Sequence, residues 1–153
     1  MINRRHIELL PYEILASLEN TKSLAERVKI FQDNATYELK TLLQLAFHPG
    51  IKLLLPEGSP PYTPSPIPNG LQYMSLKKQL DILPRLCREQ ANISPIKREM
   101  LFIRILESIS AKDAEILCAA KEKTLHKLYP LCTKNLVVKY FPKLIPNIEI
   151  TQV

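Results

Sequence analysis

The uneven placement of proline constrains this chain more than any other feature of its sequence. Seven of the 13 prolines lie between residues 49 and 70 of a chain of 153 residues. Proline fixes φ, donates no backbone hydrogen bond and holds the preceding residue in an extended conformation. An α-helix through residues 49–70 is therefore excluded, and the sequence predicts an extended crossover between two helical parts.

The composition is typical of one soluble, globular domain without a glycine-rich phosphate loop. Hydrophobic residues make up 46% of the chain and charged residues 24%, which is ordinary for a folded domain of this length. The three glycines, Gly50, Gly58 and Gly70, stand too far apart for G-x-G-x-x-G. No apolar run reaches 18 residues and no apolar signal core follows the N-terminus, so we expect an intracellular protein that does not contact membranes.

Apolar residues recur at close to 3.6 positions in the first half and predict three short helices there. The first covers residues 5–19, with Pro11 opening its regular part. We expect Thr21 or Ser23 to cap the second helix and Asn34 to cap the third, because such side chains accept hydrogen bonds from the free N–H groups at a helix start.

The second half predicts four further helices. Ser94-Pro95 and Ser110 are typical helix starts, since serine caps free N–H groups and proline suits the first helical position. Pro84 is expected to kink or break the helix that contains it. The predicted helices cover residues 75–87, the stretch after Ser94, residues 113–121, and a last segment from the cap Thr133 to just before Pro142, with a connection through Pro130 between the last two.

These elements predict an all-α fold, a compact bundle of about seven short helices with a Pro-rich extended crossover. The crossover allows two interpretations. Pro61-Tyr-Thr-Pro64 matches the P-x-x-P pattern of ligands for aromatic grooves, but stiffening a connection is the commoner use of such prolines, and we favour it. We expect a single domain over residues 1–153, made of N-terminal helices (1–48), a connection (49–74), C-terminal helices (75–146) and a tail (147–153).

The net charge of +6 lies in the second half of the chain, and most of it in one short stretch. Residues 1–74 carry seven basic and seven acidic side chains, whereas residues 75–153 carry fourteen basic and eight acidic ones. Between Lys121 and Lys143 there are six lysines and one acid, Glu122. Clustered positive charge is what binding to phosphate groups requires, and a solvated lysine-rich face is the equally simple alternative.

This lysine-rich stretch predicts a helical hairpin that contacts nucleic acid. Its second helix would begin near Lys134, where free N–H groups and the helix dipole favour anions. Such contacts hold the DNA backbone without reading its bases. Tyr129 and Tyr140 are expected either to stack or, more commonly, to pack. The predicted nucleic-acid-binding residues are Lys121, Lys123, Lys127, Thr133, Lys134, Asn135, Lys139 and Lys143.

No combination of residues predicts catalysis, a cofactor or a metal ion. The sequence has no G-x-S-x-G, no H-E-x-x-H and no suggestive carboxylate pair. Cys118, His126 and Cys132 match no common zinc spacing and lack a fourth ligand. Three cysteines without paired spacing are typical of reduced thiols. We therefore expect a protein that is not an enzyme and needs neither cofactor nor metal.

Several stretches resemble known families. Asp113-Ala-Glu-Ile-Leu-Cys-Ala-Ala-Lys-Glu-Lys-Thr-Leu125 and the later run Leu131–Pro146 are similar to the end of the N-terminal helical DNA-binding domain of phage ATP-dependent DNA ligases. The chain as a whole is more similar to a small uncharacterised protein family of T4-like tailed phages, including cyanophages, through the stretches Phe47–Gly58, Pro61–Pro64 and Lys97–Glu107.

The ligase resemblance implies a domain that grips duplex DNA across the minor groove through phosphate contacts at helix ends. The matching positions are Thr133, Lys134 and Asn135, with Lys121 and Lys123 nearby. The chain contains no K-x-D-G, so the resemblance does not extend to ligation itself. The phage family brings no established activity with it.

The sequence thus predicts a non-catalytic phage accessory protein that binds the backbone of duplex DNA, without sequence specificity, in the host cell cytoplasm. The alternative is a phage structural or adaptor protein that acts through contacts with phage or host proteins, in the virion or on a host machine. Its docking surfaces would be the crossover and an apolar tail that suits addition to a partner's sheet. The tail residues are Leu144, Ile145, Ile148, Ile150 and Val153.

Overall fold

Helices joined by irregular connections make up the part of the chain that the structure describes. This structure, a computed structural model, describes residues 9–69, 71–72, 76–87 and 92–145. Over these residues it contains no strand, which confirms the predicted all-α class. The helices are α1 (Pro11–Glu19), α2 (Leu24–Asp33), α3 (Tyr37–Phe47), α4 (Leu76–Gln79), α5 (Leu83–Cys87), α6 (Pro95–Ser108), α7 (Ala111–Lys121), α8 (Leu125–Leu128) and α9 (Lys134–Tyr140), with a 3-10 turn at Leu80–Ile82.

Helix α7 lies at the centre of the bundle. It packs against α1, α3, α6 and α8, and most of its side chains are buried. Ala114 and Ala120 are fully buried, and their small side chains let the neighbouring helices approach closely. The core around them joins both halves of the chain, with Leu42 of α3 and Phe102 of α6 almost completely shielded from solvent.

Four predicted helix starts are confirmed. The side chains of Ser23, Ser94, Ser110 and Thr133 each accept a hydrogen bond of 3.1 to 3.3 Å from the backbone N–H three residues ahead. A cap of this kind stabilises a helix by about 1 kcal/mol. Pro11 occupies the first turn of α1, as predicted.

The predicted cap of the third helix is wrong. Thr36, and not Asn34, caps α3 by accepting a 3.2 Å hydrogen bond from the N–H of Leu39. Asn34 instead ends α2, where its side-chain amide donates to the carbonyl of Ile30 at 2.9 Å. Both residue types suit a cap, and the hydroxyl that stands directly before the first helical residue takes the position.

Other boundaries differ from the prediction at helix ends. Helix α1 begins at Pro11, since Leu9 and Leu10 are not helical, and residues 5–8 lie outside the described part. Helix α7 begins at Ala111, directly after its cap Ser110. The predicted connection through Pro130 contains one turn of helix, α8. No helix in the described part of the chain is long and apolar enough to span a membrane.

The predicted break near Pro84 is confirmed and lies just before it. Pro84 has no N–H to donate to the carbonyl of Leu80, four residues earlier, and its ring would clash with that carbonyl in an α-helix. The chain forms a 3-10 turn over Leu80–Ile82, between α4 and α5. The proline thus changes the helix type in the preceding turn.

Residues 49–69 form the extended crossover that the prolines predict. Leu53 is 2% exposed, and the N–H of Leu54 donates a 2.8 Å hydrogen bond to the carbonyl of Leu86. Tyr62, in the middle of the P-x-x-P match, is half-buried against the core, and this burial raises its pKa. The crossover is therefore packed onto the bundle, and Tyr62 faces the protein itself.

Side-chain hydrogen bonds connect the first helices to the last third of the chain. Glu19 accepts from the N–H of Leu131 at 2.8 Å, and the amide of Gln44 donates to the carbonyl of Leu144 at 3.2 Å. Ile145 is fully buried in the core, so this part of the predicted apolar tail is not available for docking. Leu144 is half-buried against the core, and Ile148, Ile150 and Val153 lie outside the described part.

Asp113 forms a third such connection, at a junction of α1, α3 and α7. Its carboxylate accepts a 3.2 Å hydrogen bond from the N–H of Tyr12 at the start of α1. Burial raises the pKa of Asp113 to about 6, opposed by hydrogen bonds from Tyr12 and Ser110 and assisted by the charges of Glu13 and Glu38. The carboxylates of Asp113, Glu13 and Glu38 thus lie close enough to interact at the start of α7.

Candidate nucleic-acid interface

Lys123 ends helix α7 in a left-handed conformation that is usually left to glycine. Its φ is 60°. Its N–H donates to the carbonyl of Ala120 at 3.1 Å, while the N–H of Thr124 donates to the carbonyl of Ala119 at 2.8 Å. This pair of bonds is the Schellman motif, in which a residue with positive φ satisfies the last helical carbonyls.

The same conformation directs the Lys123 side chain back onto the end of α3. Its ammonium donates to the carbonyl oxygens of Leu45, His48 and Ile51, the last two at 3.0 and 2.6 Å. Burial lowers the pKa of Lys123. Lys123 therefore satisfies three backbone acceptors where α3 leads into the crossover.

Lys121 holds the next part of the crossover in a similar way. It is 9% exposed, and its ammonium donates to the carbonyls of Pro56 and Gly58, both at 2.8 Å. It also forms an ion pair with Glu122, whose carboxylate accepts a 2.7 Å hydrogen bond from the N–H of Gly58. The hydrogen bond from Lys121 is the largest cause that lowers the pKa of Glu122.

A cleft of about 980 Å³ brings together four of the predicted residues, Lys121, Lys123, Thr133 and Lys134. The lining comes from two parts of the chain. One part is the end of α3 with the crossover, and the other runs from the end of α7 to the start of α9. The further lining residues are Ala46, Phe47, Pro49, Lys52, Glu57, Glu122, His126 and Pro130.

Thr133 and Lys134 have different roles in the lining of this cleft. The Thr133 hydroxyl accepts a 3.2 Å hydrogen bond from the N–H of Leu136 and so caps α9. Lys134 is exposed, and no described residue forms a hydrogen bond or ion pair with its ammonium. Lys134 is therefore a lining cation that an external anion can reach.

The other predicted residues lie outside the cleft lining. Lys127 of α8, Asn135 and Lys139 of α9 and Lys143 are all exposed. Lys139 follows Lys134 by five residues, which places it about 140° further around the helix, on the same side as Asn135. The structure thus divides the predicted set into cleft residues and residues of an outer basic surface.

The two candidate stacking residues are used for packing. Tyr140 lies edge-on to Phe141, with 4.9 Å between ring centroids, and both contact the buried ring of Phe31. Tyr129 is half-buried against the core, and burial raises its pKa. The commoner of the two predicted uses of these rings is therefore the observed one.

Metal-ligating side chains and thiols are further candidate groups in the sequence. They contain no group of three histidine, cysteine or acidic side chains that could hold a metal ion. Cys118 and Cys132 are buried free thiols, and burial raises the pKa of Cys132 to about 12. A thiol with so high a pKa is a poor nucleophile because almost none of it ionises at neutral pH.

A solved structure named "Pmar-Lig_PreS3" has a similar fold. The TM-score is 0.58 at 17% sequence identity, and the match covers 91% of this chain and 32% of that chain. This chain thus spans about a third of the length of its structural neighbour, and at this identity the likeness concerns the fold alone. No curated protein sequence matches the chain.

A family model provides the assignment by sequence. Residues 14–127 match the model of a family of unknown function, DUF6433. The match spans far more than half of the chain, from the first described helix to α8. The chain therefore belongs to the family of unknown function DUF6433.

Proposed function

We propose that this chain is a non-catalytic accessory protein of a tailed phage that binds the backbone of duplex DNA without sequence specificity. Exposed lysines of the C-terminal hairpin neutralise phosphates in the host cell cytoplasm. The direct contacts come from Lys127, Lys134, Lys139 and Lys143, with Thr133 and Asn135 beside them.

One observation carries this proposal. The four lysines of that set are exposed, and none is tied to a described carboxylate or carbonyl. Lys121 and Lys123, by contrast, are bonded to carbonyls of the chain itself. Lys121 and Lys123 therefore act as positioning residues, and the four exposed ammonium groups bind the phosphates.

Two resemblances support the proposal. The end of the chain resembles the DNA-binding domain of phage DNA ligases in sequence, and the name of its structural neighbour includes "Lig". The phage assignment is supported by the sequence resemblance to a small family of T4-like phages. Both resemblances concern similarity to other proteins, whereas the exposed lysines supply the physical mechanism of phosphate binding.

A salt titration with duplex DNA tests the proposal. Retention of a short duplex should weaken with salt, with a slope of about 0.9 per phosphate neutralised on logarithmic axes. Lys134→Glu combined with Lys139→Glu should nearly abolish retention, whereas Lys29→Glu, an exposed lysine on α2, should have a much smaller effect. Absence of retention by the wild type at low salt would refute the proposal.

A structural role is the second candidate, and α6 favours it. Ile96 and Met100 are 73% and 58% exposed and lie on one face with the half-buried Ile103. A second copy of the chain is the occupant we consider, because an apolar face on a surface helix can pair with the same face of another copy across a two-fold axis. Sedimentation velocity should then give a dimer that Met100→Glu dissociates, and a wild-type monomer at high concentration would exclude pairing through α6.

A further inference from the structure

Lys52 is an exposed lysine of the crossover that lines the same cleft as Lys134. It belongs to the half of the chain whose charges balance, so the charge pattern of the sequence does not single it out. Like that of Lys134, its ammonium has no hydrogen bond or ion pair with a described residue. The cleft thus contains two available cations from distant parts of the chain.

The backbone around Lys52 is held in place on both sides. The carbonyl of Ile51 accepts the 2.6 Å hydrogen bond from Lys123, and the side chain of Leu53 is buried in the core. Lys52 itself is exposed and lines the cleft, so its side chain lies on the side of the segment opposite the core.

The acidic residues of the lining do not cancel these two cations. Glu122 is already paired with Lys121 and with the N–H of Gly58. The hydrogen bond from Lys121 is the largest cause that lowers the pKa of Glu122, and the charge of Lys52 is a smaller one. Glu57 is exposed and also lines the cleft, so the lining carries four lysines against two glutamates. The cleft therefore keeps a net positive charge, and Lys52 and Lys134 are the cations available to an incoming anion.

We infer that Lys52 and Lys134 together bind one phosphodiester group of a DNA strand in this cleft, and we call this pair of lysines the clamp. This inference rests on the proposed function and adds a residue of the crossover to the binding site. Lysine binds phosphate as a point charge without demanding geometry, so two ammonium groups on different elements can converge on one phosphate. Lys121 and Lys123 are positioning residues here, because their hydrogen bonds hold the crossover that carries Lys52.

A double-mutant cycle on duplex binding tests the clamp. Lys52→Gln and Lys134→Gln should each weaken binding about fivefold to tenfold at 0.1 M salt and lower the salt slope by about 0.9. Because both side chains serve one phosphate, the double variant should lose clearly less than the product of the two single losses. Lys29→Gln, with the same change of charge, should change binding less than twofold. Thermal unfolding of each variant controls for stability.

The outcomes separate the clamp from the proposed function. If the wild type binds duplex, Lys134→Gln weakens it and Lys52→Gln behaves like Lys29→Gln, the clamp is refuted and the proposed function stands. Losses that simply multiply would show two separate phosphates and also overturn the clamp. If the wild type does not bind duplex but calorimetry detects binding of inorganic phosphate that Lys52→Gln removes, the cleft serves a small phosphate and both proposals fail.

Discussion

The ammonium of Lys123 donates a 3.0 Å hydrogen bond to the carbonyl oxygen of His48. His48 ends α3, and Lys123 follows the last turn of α7, so one side chain joins the ends of two helices that pack together. The carbonyls at a helix C-terminus lack partners within the helix. A cation at this position satisfies them and interacts favourably with the helix dipole.

Removing this ammonium should destabilise the protein. Lys123→Met keeps the length of the side chain and leaves the carbonyls of Leu45, His48 and Ile51 without their donor, so the free energy of unfolding should fall by about 2–4 kcal/mol. Urea unfolding followed by circular dichroism measures this loss. Lys127→Met, at an exposed lysine of α8, should stay within about 0.5 kcal/mol of the wild type, and equal midpoints for the two variants would contradict the role of Lys123.

The positive φ of Lys123 predicts an unusual order of two substitutions. Lys123→Gly and Lys123→Ala both remove the ammonium, but only glycine adopts this conformation without a steric cost. The glycine variant should therefore be more stable than the alanine variant by about 1 kcal/mol. At an ordinary helical position the order is reversed, so alanine more stable than glycine in urea unfolding would show that the α7 terminus is not left-handed.

The raised pKa of Asp113 predicts a loss of stability as the pH rises. A carboxyl whose pKa is about 6 in the folded state binds its proton more tightly there than in the unfolded chain, where its pKa is about 3.9. Stability from this group is thus complete below pH 4 and decreases between pH 4 and 6, by up to about 3 kcal/mol. Asp113→Asn, whose amide oxygen can still accept from Tyr12, should raise the melting temperature at pH 7.5 and have little effect at pH 4.

The control for Asp113 is Glu115→Gln, an exposed position on the same helix. It changes the charge equally but leaves the junction of α1, α3 and α7 intact, so its melting temperature should follow that of the wild type at both pH values. If Asp113→Asn lowers the melting temperature at pH 7.5, the charged carboxylate stabilises the fold and the predicted sign is wrong.

Lys121 should protect the crossover from proteolysis. Glu57 is exposed and lies between Pro56 and Gly58, whose carbonyls accept hydrogen bonds from Lys121. Lys121→Met should free this segment and increase the rate of cleavage after Glu57 by a glutamate-specific protease, since cleavage requires local opening. Mass spectrometry identifies the fragments, and Lys112→Met, at an exposed lysine on the same helix, should be cleaved as slowly as the wild type.

Features that depend on adjacent residues could be predicted from the sequence. The caps at Ser94 and Thr133 are hydrogen bonds between residues three positions apart. The break before Pro84 follows from the hydrogen bond to the residue four positions earlier that proline cannot donate. The error at Asn34 arose because Thr36 stands two residues later and also suits a cap. Local rules name the candidates, and the exact start of the helix selects between them.

The direction of the lysine side chains could not be predicted in the same way. The carbonyl partners of Lys121 and Lys123 lie 63 to 78 residues earlier in the chain, and charge counts contain no information about such pairs. A clue does exist at Lys123, because α7 has no glycine after it to end the helix. Lys52 was missed for a similar reason, since it lines the same cleft as Lys134 only when the crossover folds onto the bundle.

The side-chain bonds between the first helices and the last third of the chain also bear on how the protein forms during translation. Tyr12 hydrogen-bonds with Asp113 and Glu19 with Leu131, and these partners follow them in the chain by 101 and 112 residues. A ribosome adds about 5–20 residues per second, so α1 spends roughly 5–20 seconds without the partners that fix its start and end. The nascent N-terminal helices must therefore stay soluble without these partners, and the bundle closes only after Leu131 has been synthesised.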